Sequence, residues 1–303
     1  MKVLLLGGTG FVGRALIDRL ARDAHYVRVI SRRRERHRDL LVFPTVHVVD
    51  GDAHDARALE RELRDMQADA IVNLVGVLNA SAAGFDAAHV GVPRAMVTAA
   101  RAVGVQRIVH MSAINAAADA PSEYLRSKAR GEAVVEQSGL DWTIFRPNVI
   151  FGRHDSFLNR FARLLRLVPG PFPLACPQAK LQPVYVGDVV ESFAYALSHR
   201  ATTRQRYALC GPRTYALEEL VRYVDELIAT RARIVPLNER LSRWQARLLQ
   251  YVPGKPFTHD NYLSLTLPAV CDGEFPIPNI VPSSLESIAP AYLTAPPQRF
   301  DIA

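Results

Sequence analysis

Along the first half of the chain, short aliphatic and β-branched runs alternate with longer stretches whose apolar positions recur every three or four residues. Lys2–Leu6 reads as a buried strand, and Phe11–Asp23 as a helix with Val12, Leu16, Ile17 and Leu20 on one face. Tyr26–Ile30 and Val46–Val49 read as strands, Ala56–Met66 as a charged helix and Ala70–Val75 as a fourth strand. Val90–Val103 is helical, Arg107–Met111 a fifth strand, Glu123–Gln137 a helix and Trp142–Phe145 a sixth strand running into Arg146-Pro147. This alternation predicts an α/β fold: a doubly wound parallel Rossmann sheet with right-handed crossovers, occupying residues 1–150.

Beyond Ile150 the texture changes, which predicts a smaller C-terminal lobe over 151–303, with 183–198 returning to the Rossmann core. Ser156–Leu167 is a basic amphipathic helix, followed by a loop holding Pro169, Pro171, Pro173 and Pro177. Pro183–Val186 reads as a short strand, Asp188 as a cap for the helix to Leu197, Tyr207–Leu209 as a strand and Leu217–Ala229 as a helix. From Val252 onward, nine of the twenty prolines predict a loop-rich tail. Two apolar stripes border arginines: Leu158, Phe161, Leu164, Leu165 and Val168 beside Arg160, Arg163 and Arg166, and Trp244, Leu248, Leu249 and Tyr251 beside Arg243 and Arg247. Each reads either as core packing with a solvated basic edge or as a membrane-surface or partner docking face.

Composition narrows the class. With 303 residues, 49% hydrophobic and 22% charged, the chain can build a large core without staples. No apolar run approaches the roughly 18 residues of a membrane span. The sequence opens directly on strand and turn, so no signal segment is expected. Cys176, Cys210 and Cys271 form no CxxC and have no histidine pair nearby, so neither a disulfide framework nor a zinc site is expected. A reducing, cytoplasmic setting follows as the default, and no metal is expected. The net charge of +7 comes mainly from arginine, with one dense cluster at Arg32, Arg33, Arg34, Arg36 and Arg38. Without a broad basic stripe interleaved with aromatics, or a recognised binding motif, nucleic acid is not expected as a partner.

The candidate chemistry begins at Gly7-Gly8-Thr9-Gly10-Phe11-Val12-Gly13, a GxxGxxG turn between the first strand and first helix. Such glycines let backbone approach a pyrophosphate, and the helix N-terminus supplies unpaired N–H groups. At the end of the second strand, where an NAD site usually carries a carboxylate, this chain has Ser31-Arg32-Arg33-Arg34. A hydroxyl and guanidinium forks suit a 2′-phosphate, which favours NADP(H) over NAD(H). Asp52 reads either as an acceptor for an adenine amino group or as a turn cap. Tyr124 and Lys128 stand at i and i+4 on one helix face, an arrangement in which Lys128 tunes a Tyr124 proton donor. Ser112, at the end of the fifth strand, is the candidate group to orient a substrate carbonyl. His154, beside Arg153 and Asp155, reads either as substrate-facing or as solvated.

These segments together resemble the extended, atypical branch of the short-chain dehydrogenase/reductase superfamily, which includes epimerase/dehydratase-like proteins. The markers are the GGTGFVG turn, Asn73, the Tyr124/Lys128 pair, Arg146-Pro147-Asn148-Val149-Ile150-Phe151-Gly152 and Pro183-Val184-Tyr185-Val186-Gly187-Asp188-Val189. HMSAINA, the SEYLRSKARGEAVVEQSGLDWTIFRPNVIFGRHDSFLNRF stretch and LQPVYVGDVV are similar to one subgroup, the nucleotide-binding accessory subunits of mitochondrial complex I and their bacterial relatives. The resemblance implies that Gly7, Gly10 and Gly13 hold the pyrophosphate and Arg32 the 2′-phosphate; Thr9, Phe11, Val12, Ser31 and Arg33 are further candidate cofactor-binding residues. Asp52, Asn73 and Gly76 would line the nucleotide, Lys128 would bind the nicotinamide ribose, and Pro147 would lie beside the nicotinamide. It implies an NADP-dependent oxidoreductase, epimerase or dehydratase acting on a carbonyl, quinone or nucleotide sugar. The alternative it implies is an accessory protein holding NADPH as a structural ligand, docked to a complex or peripheral at the inner membrane. Ser112-Ala113-Ile114 departs from the superfamily's usual paired hydroxyls, which bears on the carbonyl-orienting role.

Overall fold

The computed structural model describes residues 1–167 and 170–294; Val168 of the first apolar stripe, Pro169 and the last stretch of the proline-rich tail lie outside the described residues. In chain order the elements are β1 (Lys2–Leu6), α1 (Phe11–Arg22), β2 (Tyr26–Ser31), β3 (Val46–Asp50), α2 (Ala56–Met66), β4 (Ala70–Asn73), α3 (Ala82–Asp86), α4 (Val92–Val103), β5 (Arg107–Met111), α5 (Glu123–Glu136) and β6 (Asp141–Pro147). There follow β7 (Ile150–Phe151), α6 (Leu158–Leu167), β8 (Pro171–Leu174), β9 (Lys180–Leu181), β10 (Val184–Tyr185), α7 (Val186–Ser198), β11 (Gln205–Leu209), β12 (Tyr215–Ala216), α8 (Leu217–Ile228), β13 (Arg233–Pro236), α9 (Glu239–Leu249), α10 (His259–Leu265), α11 (Leu285–Ile288) and α12 (Pro290–Leu293). They form two compact units, one of Met1–Pro147, Gly187–Leu209 and Pro276–Ile280, the other of Asn148–Val186, Cys210–Phe275 and the chain from Val281.

The first unit is built on a seven-stranded parallel sheet in the order β11-β6-β5-β4-β1-β2-β3. Its inner strands, such as β1 and β4, are buried on both faces, which is why they read as near-continuous Val, Ile and Leu rather than as alternating patterns. Leu4, Leu6, Ile71, Met96, Ile108 and Ile144 form one core with Leu59 and Leu63 of α2. Strand order reverses between β1 and β4, and a crevice at such a switch point is where open α/β sheets bind ligands. Helix starts follow local chemistry: Asp55 caps α2 through the N–H groups of Arg57 and Ala58, and Ser122 caps α5 through that of Leu125.

Tyr207–Leu209, expected as a strand within the C-terminal lobe, is part of the sheet-edge strand β11, paired with β6 of the first unit's sheet. Its anchor is Arg107, which donates to Thr143 Oγ1 (2.7 Å), Ala196 O (2.7 Å) and Thr202 Oγ1 (2.9 Å), tying the chain after α7 to β5 and β6. Asp188 was expected as a helix cap but lies inside the first turn of α7, because β10 passes into that helix without a linker.

The second unit uses two-stranded pairings: β10 with β7, β12 with β9 and β13 with β8. Here the cysteine expectation is overturned, since Cys210 and Cys271 form a disulfide across 61 residues. Sequence spacing held no trace of it because the proximity is made by other groups. Gln182 donates to Gly211 O (2.7 Å) and accepts from Cys271 N–H (2.8 Å), and Asn148 donates to Ala269 O (2.7 Å). The two apolar stripes separate. Leu158 and Leu165 of α6 are buried, whereas Trp244 and Leu248 of α9 and the following Tyr251 are exposed, Tyr251 by 83%. No helix of the described residues is long and apolar enough to cross a membrane.

Candidate functional site

The turn between β1 and α1 is held by glycine at specific contacts. Gly7 adopts a left-handed φ of 78°, and a Cβ there would stand 2.9 Å from the backbone carbon of Leu74 and the nitrogen of Val75. A Cβ on Gly13 would lie 2.4 Å from Gly7 O and 2.5 Å from Gly8 Cα, so α1 sits directly on the turn. Gly10 is the N-cap of α1 without a side-chain cap, and the first turn carries no acidic residue. Phe11 and Val12 open the helix, with Val12 buried, and Thr9 O accepts from Arg14 Nε (3.2 Å). The turn therefore presents a positive helix end with no acidic residue in its first turn.

At the end of β2, Ser31 is buried and its hydroxyl oxygen accepts the N–H of Arg33 (3.2 Å), while Arg32 and Arg33 are exposed. Beyond them Arg34, Glu35, His37, Arg38, Leu41 and Val48 line a recess of about 320 Å³. Asp52 is engaged by the turn that follows β3: its Oδ1 accepts from the N–H (3.0 Å) and the ring Nδ1 (2.7 Å) of His54. Those two bonds, together with the charges of His54 and Arg32, hold its carboxyl below the usual range.

The β4 end adds Asn73, fully buried, whose Oδ1 accepts the N–H of Val75 (3.0 Å) and whose Nδ2 donates to His110 Nδ1 (3.1 Å). Asn73 thus shapes the loop with both ends of its amide. The same loop reaches across the crevice: a Cβ on Gly76 would stand 3.4 Å from Lys128 Nζ. The segment Leu74–Val77 consequently touches the Gly7 turn at one end and Lys128 at the other.

Lys128 is 3% exposed and donates to Met111 O (2.9 Å) at the end of β5. Burial pushes its ammonium down to about 8, offset in part by Glu132 one turn on. Burial pushes the Tyr124 phenol up to about 12. Desolvation is the largest cause of both shifts. Ser112 N–H pairs with Phe145 O (2.7 Å), but among the described residues its buried Oγ has no hydrogen-bond partner, and neither does His110 Nε2 two residues earlier. Buried polar atoms left open at a strand end are a feature that functional sites retain. Pro147 is buried at the end of β6, its carbonyl accepting the N–H of Ile114 (3.0 Å).

Residues the sequence reading passed over complete the surroundings. Glu132, 3% exposed, holds Arg146 of the Arg-Pro pair through two hydrogen bonds, one of them Nε to Oε1 at 2.8 Å. His89, 2% exposed, stands in a π-helical turn (Ala87–Gly91), stacks on Phe85 and meets the Tyr124 ring edge-on at 5.5 Å. Burial and the charges of Lys128 and Arg130 push its imidazole down to about 3, so it is neutral. The available signal was a histidine set in an otherwise apolar stretch before α4. His154 is exposed, and Asp155 is used internally, accepting the N–H groups of Gly152, Phe157 and Asn159 and the Tyr292 hydroxyl.

A glycine turn opening a crevice at the switch point of a parallel sheet defines a nucleotide-binding Rossmann protein. A family model described as NAD(P)H-binding matches residues 7–155, and with the relatives that follow it shows that the chain belongs to this NAD(P)H-binding family. It is 31% identical over 264 residues to NADH dehydrogenase (ubiquinone) 1 alpha subcomplex subunit 9, mitochondrial, of Rattus norvegicus, a match covering 84% of this chain and 68% of the rat protein. It is 30% identical over 255 residues to (4-alkanoyl-5-oxo-2,5-dihydrofuran-3-yl)methyl phosphate reductase of Streptomyces griseus, covering 83% of this chain and 82% of that enzyme. The structure of a nucleoside-diphosphate-sugar epimerase from Staphylococcus aureus shares the fold, with a TM-score of 0.76 over 97% of this chain and 100% of the other, at 16% identity.

Proposed function

We propose that this protein is an NADP(H)-dependent oxidoreductase that reduces a carbonyl group of a small molecule, with Tyr124 as proton donor and Lys128 as the group that holds the nicotinamide ribose. The observation that carries the reading is the loop Leu74–Val77, packed on the pyrophosphate-type turn at Gly7 and against Lys128 Nζ at Gly76. The residues fit a dinucleotide: the α1 N-terminus is uncapped, its first turn is free of acid, and its N-cap Gly10 is open, a Cβ there meeting only Gly7 O at 3.4 Å. When bound, the reduced nicotinamide supplies a hydride to the carbonyl carbon. The Tyr124 phenol, kept protonated by burial, donates its proton to the carbonyl oxygen, and the open Ser112 Oγ offers that oxygen a hydrogen bond. Arg32 and Arg33, exposed beyond Ser31, would take the 2′-phosphate.

Purified protein is expected to oxidise NADPH with a carbonyl, quinone or nucleotide-sugar acceptor, and Tyr124→Phe to lower kcat by about 100- to 10,000-fold with NADPH affinity retained. Turnover that survives Tyr124→Phe would remove Tyr124 from the mechanism. Replacing Arg32 and Arg33 together by glutamate is expected to weaken NADPH about 10- to 100-fold while leaving NADH nearly unchanged, measured by fluorescence titration.

Lys128 gives a pH test with two opposite signs. Its ammonium holds ribose hydroxyls only while protonated, so affinity is present below pH about 8 and falls as pH rises through that value. In the unfolded chain the same lysine keeps its proton up to its ordinary value of 10.5, so over that window the unfolded state binds more protons and stability rises with pH. Titrations and melts between pH 7 and pH about 10 read both slopes, and Lys128→Met is expected to flatten both.

A second reading, an accessory protein that keeps NADPH as a structural ligand and docks to a larger complex or a membrane surface, is favoured by the exposed Trp244, Leu248 and Tyr251 beside Arg243 and Arg247. Of the α6 stripe, Leu158 and Leu165 are buried and Phe161 and Leu164 half-buried, so it offers less exposed apolar surface to that reading. NADPH that no acceptor oxidises, yet whose removal lowers Tm, is the outcome that reading expects.

A further inference from the structure

We propose that His89 is a positioning residue, locked as the Nδ1–H tautomer, that fixes the rotation of α5 and so the directions in which Tyr124 and Lys128 point. The inference rests on the reading of Tyr124 and Lys128 as the reactive pair.

The tautomer follows from a one-way chain of hydrogen bonds. Val77 N–H can only donate, and it donates to His89 Nε2 (3.1 Å), so that nitrogen carries no proton. The ring proton is therefore on Nδ1, which donates to Ser127 Oγ (2.8 Å). The Ser127 hydroxyl in turn donates to the backbone carbonyl of Tyr124 (2.7 Å). His110 is locked the opposite way. Asn73 Oδ1 is fixed as an acceptor by Val75 N–H, so Nδ2 donates to His110 Nδ1 and the His110 proton is on Nε2.

Three residues of α5 meet His89 from one helical face. Tyr124 meets the ring edge-on, Ser127 accepts from Nδ1, and Gly131 packs on the backbone, where a Cβ would stand 2.0 Å from His89 O. The spacing i, i+3, i+7 keeps all three on one side. A helix held along that line cannot rotate without breaking the chain to Val77 or driving Gly131 off the carbonyl. Lys128 follows Ser127 by one residue, so the same grip aims its ammonium at Met111 O and Gly76. The π-helical turn that swings His89 inward is a local irregularity of the kind found at functional sites. Because the chain of bonds ends on the Tyr124 backbone, His89 acts through other residues and does not touch reacting atoms.

The test uses the full-length protein labelled with ¹⁵N-histidine and ¹⁵N-lysine. Spectra at neutral pH are expected to show His89, assigned by its loss in His89→Phe, with a protonated Nδ1 and a bare Nε2, and His110 with the reverse. Lys128, assigned with Lys128→Arg, is expected to titrate near pH about 8. In His89→Phe, which keeps an aromatic ring but breaks both bonds, its midpoint is expected to move up by about one pH unit as α5 loosens. His89→Asn, able to restore one bond, is expected to recover part of the shift. Should His89→Phe fail to fold, Ser127→Ala breaks the chain in its middle and is read the same way. A proton on Nε2 of His89, or a Lys128 midpoint unchanged in a folded variant, overturns the proposal. Both expected signatures in a protein that turns over no acceptor would leave this role of His89 standing and overturn the reductase reading.

Discussion

Gly13→Ala is expected to abolish useful nucleotide binding, weakening NADPH by about 100-fold or more, the equivalent of roughly 3 kcal/mol. The new methyl group would meet Gly7 O at 2.4 Å, Gly8 Cα at 2.5 Å and Gly8 C at 2.6 Å. All three are backbone atoms, so no side chain can swing aside, and α1 must move off the turn. Overpacking of this kind costs about 1–3 kcal/mol of stability, and the displaced helix end takes its N–H groups away from the anion they would bind. Gly10→Ala is the informative contrast. Its Cβ would meet only Gly7 O at 3.4 Å, and its φ of −80° suits any residue. That variant is expected to melt like the parent yet bind NADPH more weakly, because the methyl stands where backbone would approach the pyrophosphate. Thermal melts paired with fluorescence titrations of both variants separate a damaged fold from a filled site.

Arg146→Leu is expected to cost about 3–5 kcal/mol of folding stability, because it strands a buried carboxylate. Glu132 is 3% exposed, and Arg146 meets it with two N–H groups. The reverse change is milder. In Glu132→Gln the guanidinium, one quarter exposed, retains solvent and the nearby charge of Glu136, so a smaller loss is expected. Glu132 also supports the charged form of Lys128, so its loss is expected to lower the Lys128 midpoint further, whereas loss of Arg146 spares that interaction. Denaturant melts of the two variants give the ordering, and equal losses would contradict the asymmetric burial.

Much of this was legible in the sequence, and the boundary has physical causes. The parallel strands could be read because burial on both faces demands uninterrupted aliphatic runs, as in Lys2–Leu6. Strand β11 was harder, since its outer position leaves Gln205 and Arg206 exposed and only Leu209 fully buried. The glycine turn was readable because tight backbone packing admits no other residue. Asp52 does cap the turn at His54, one of the two readings its sequence position offers, whereas the bond from Asn73 to His110 spans 37 residues and no pattern along the chain displays it. His89, Glu132 and the Cys210–Cys271 disulfide depend on contacts between residues 14 to 61 positions apart. Such pairings arise from the order of strands and helices in space, and spacing in the sequence is silent about them.

The most direct test of the account is an equilibrium titration of the full-length protein with NADPH and with NADH, followed by fluorescence, alongside Gly13→Ala. Saturable binding at one site per chain, tighter for NADPH by about tenfold or more and lost in Gly13→Ala, is the predicted result. Absence of binding by either nucleotide, or binding that survives Gly13→Ala, would contradict the assignment of the Gly7–Gly13 turn as the cofactor site.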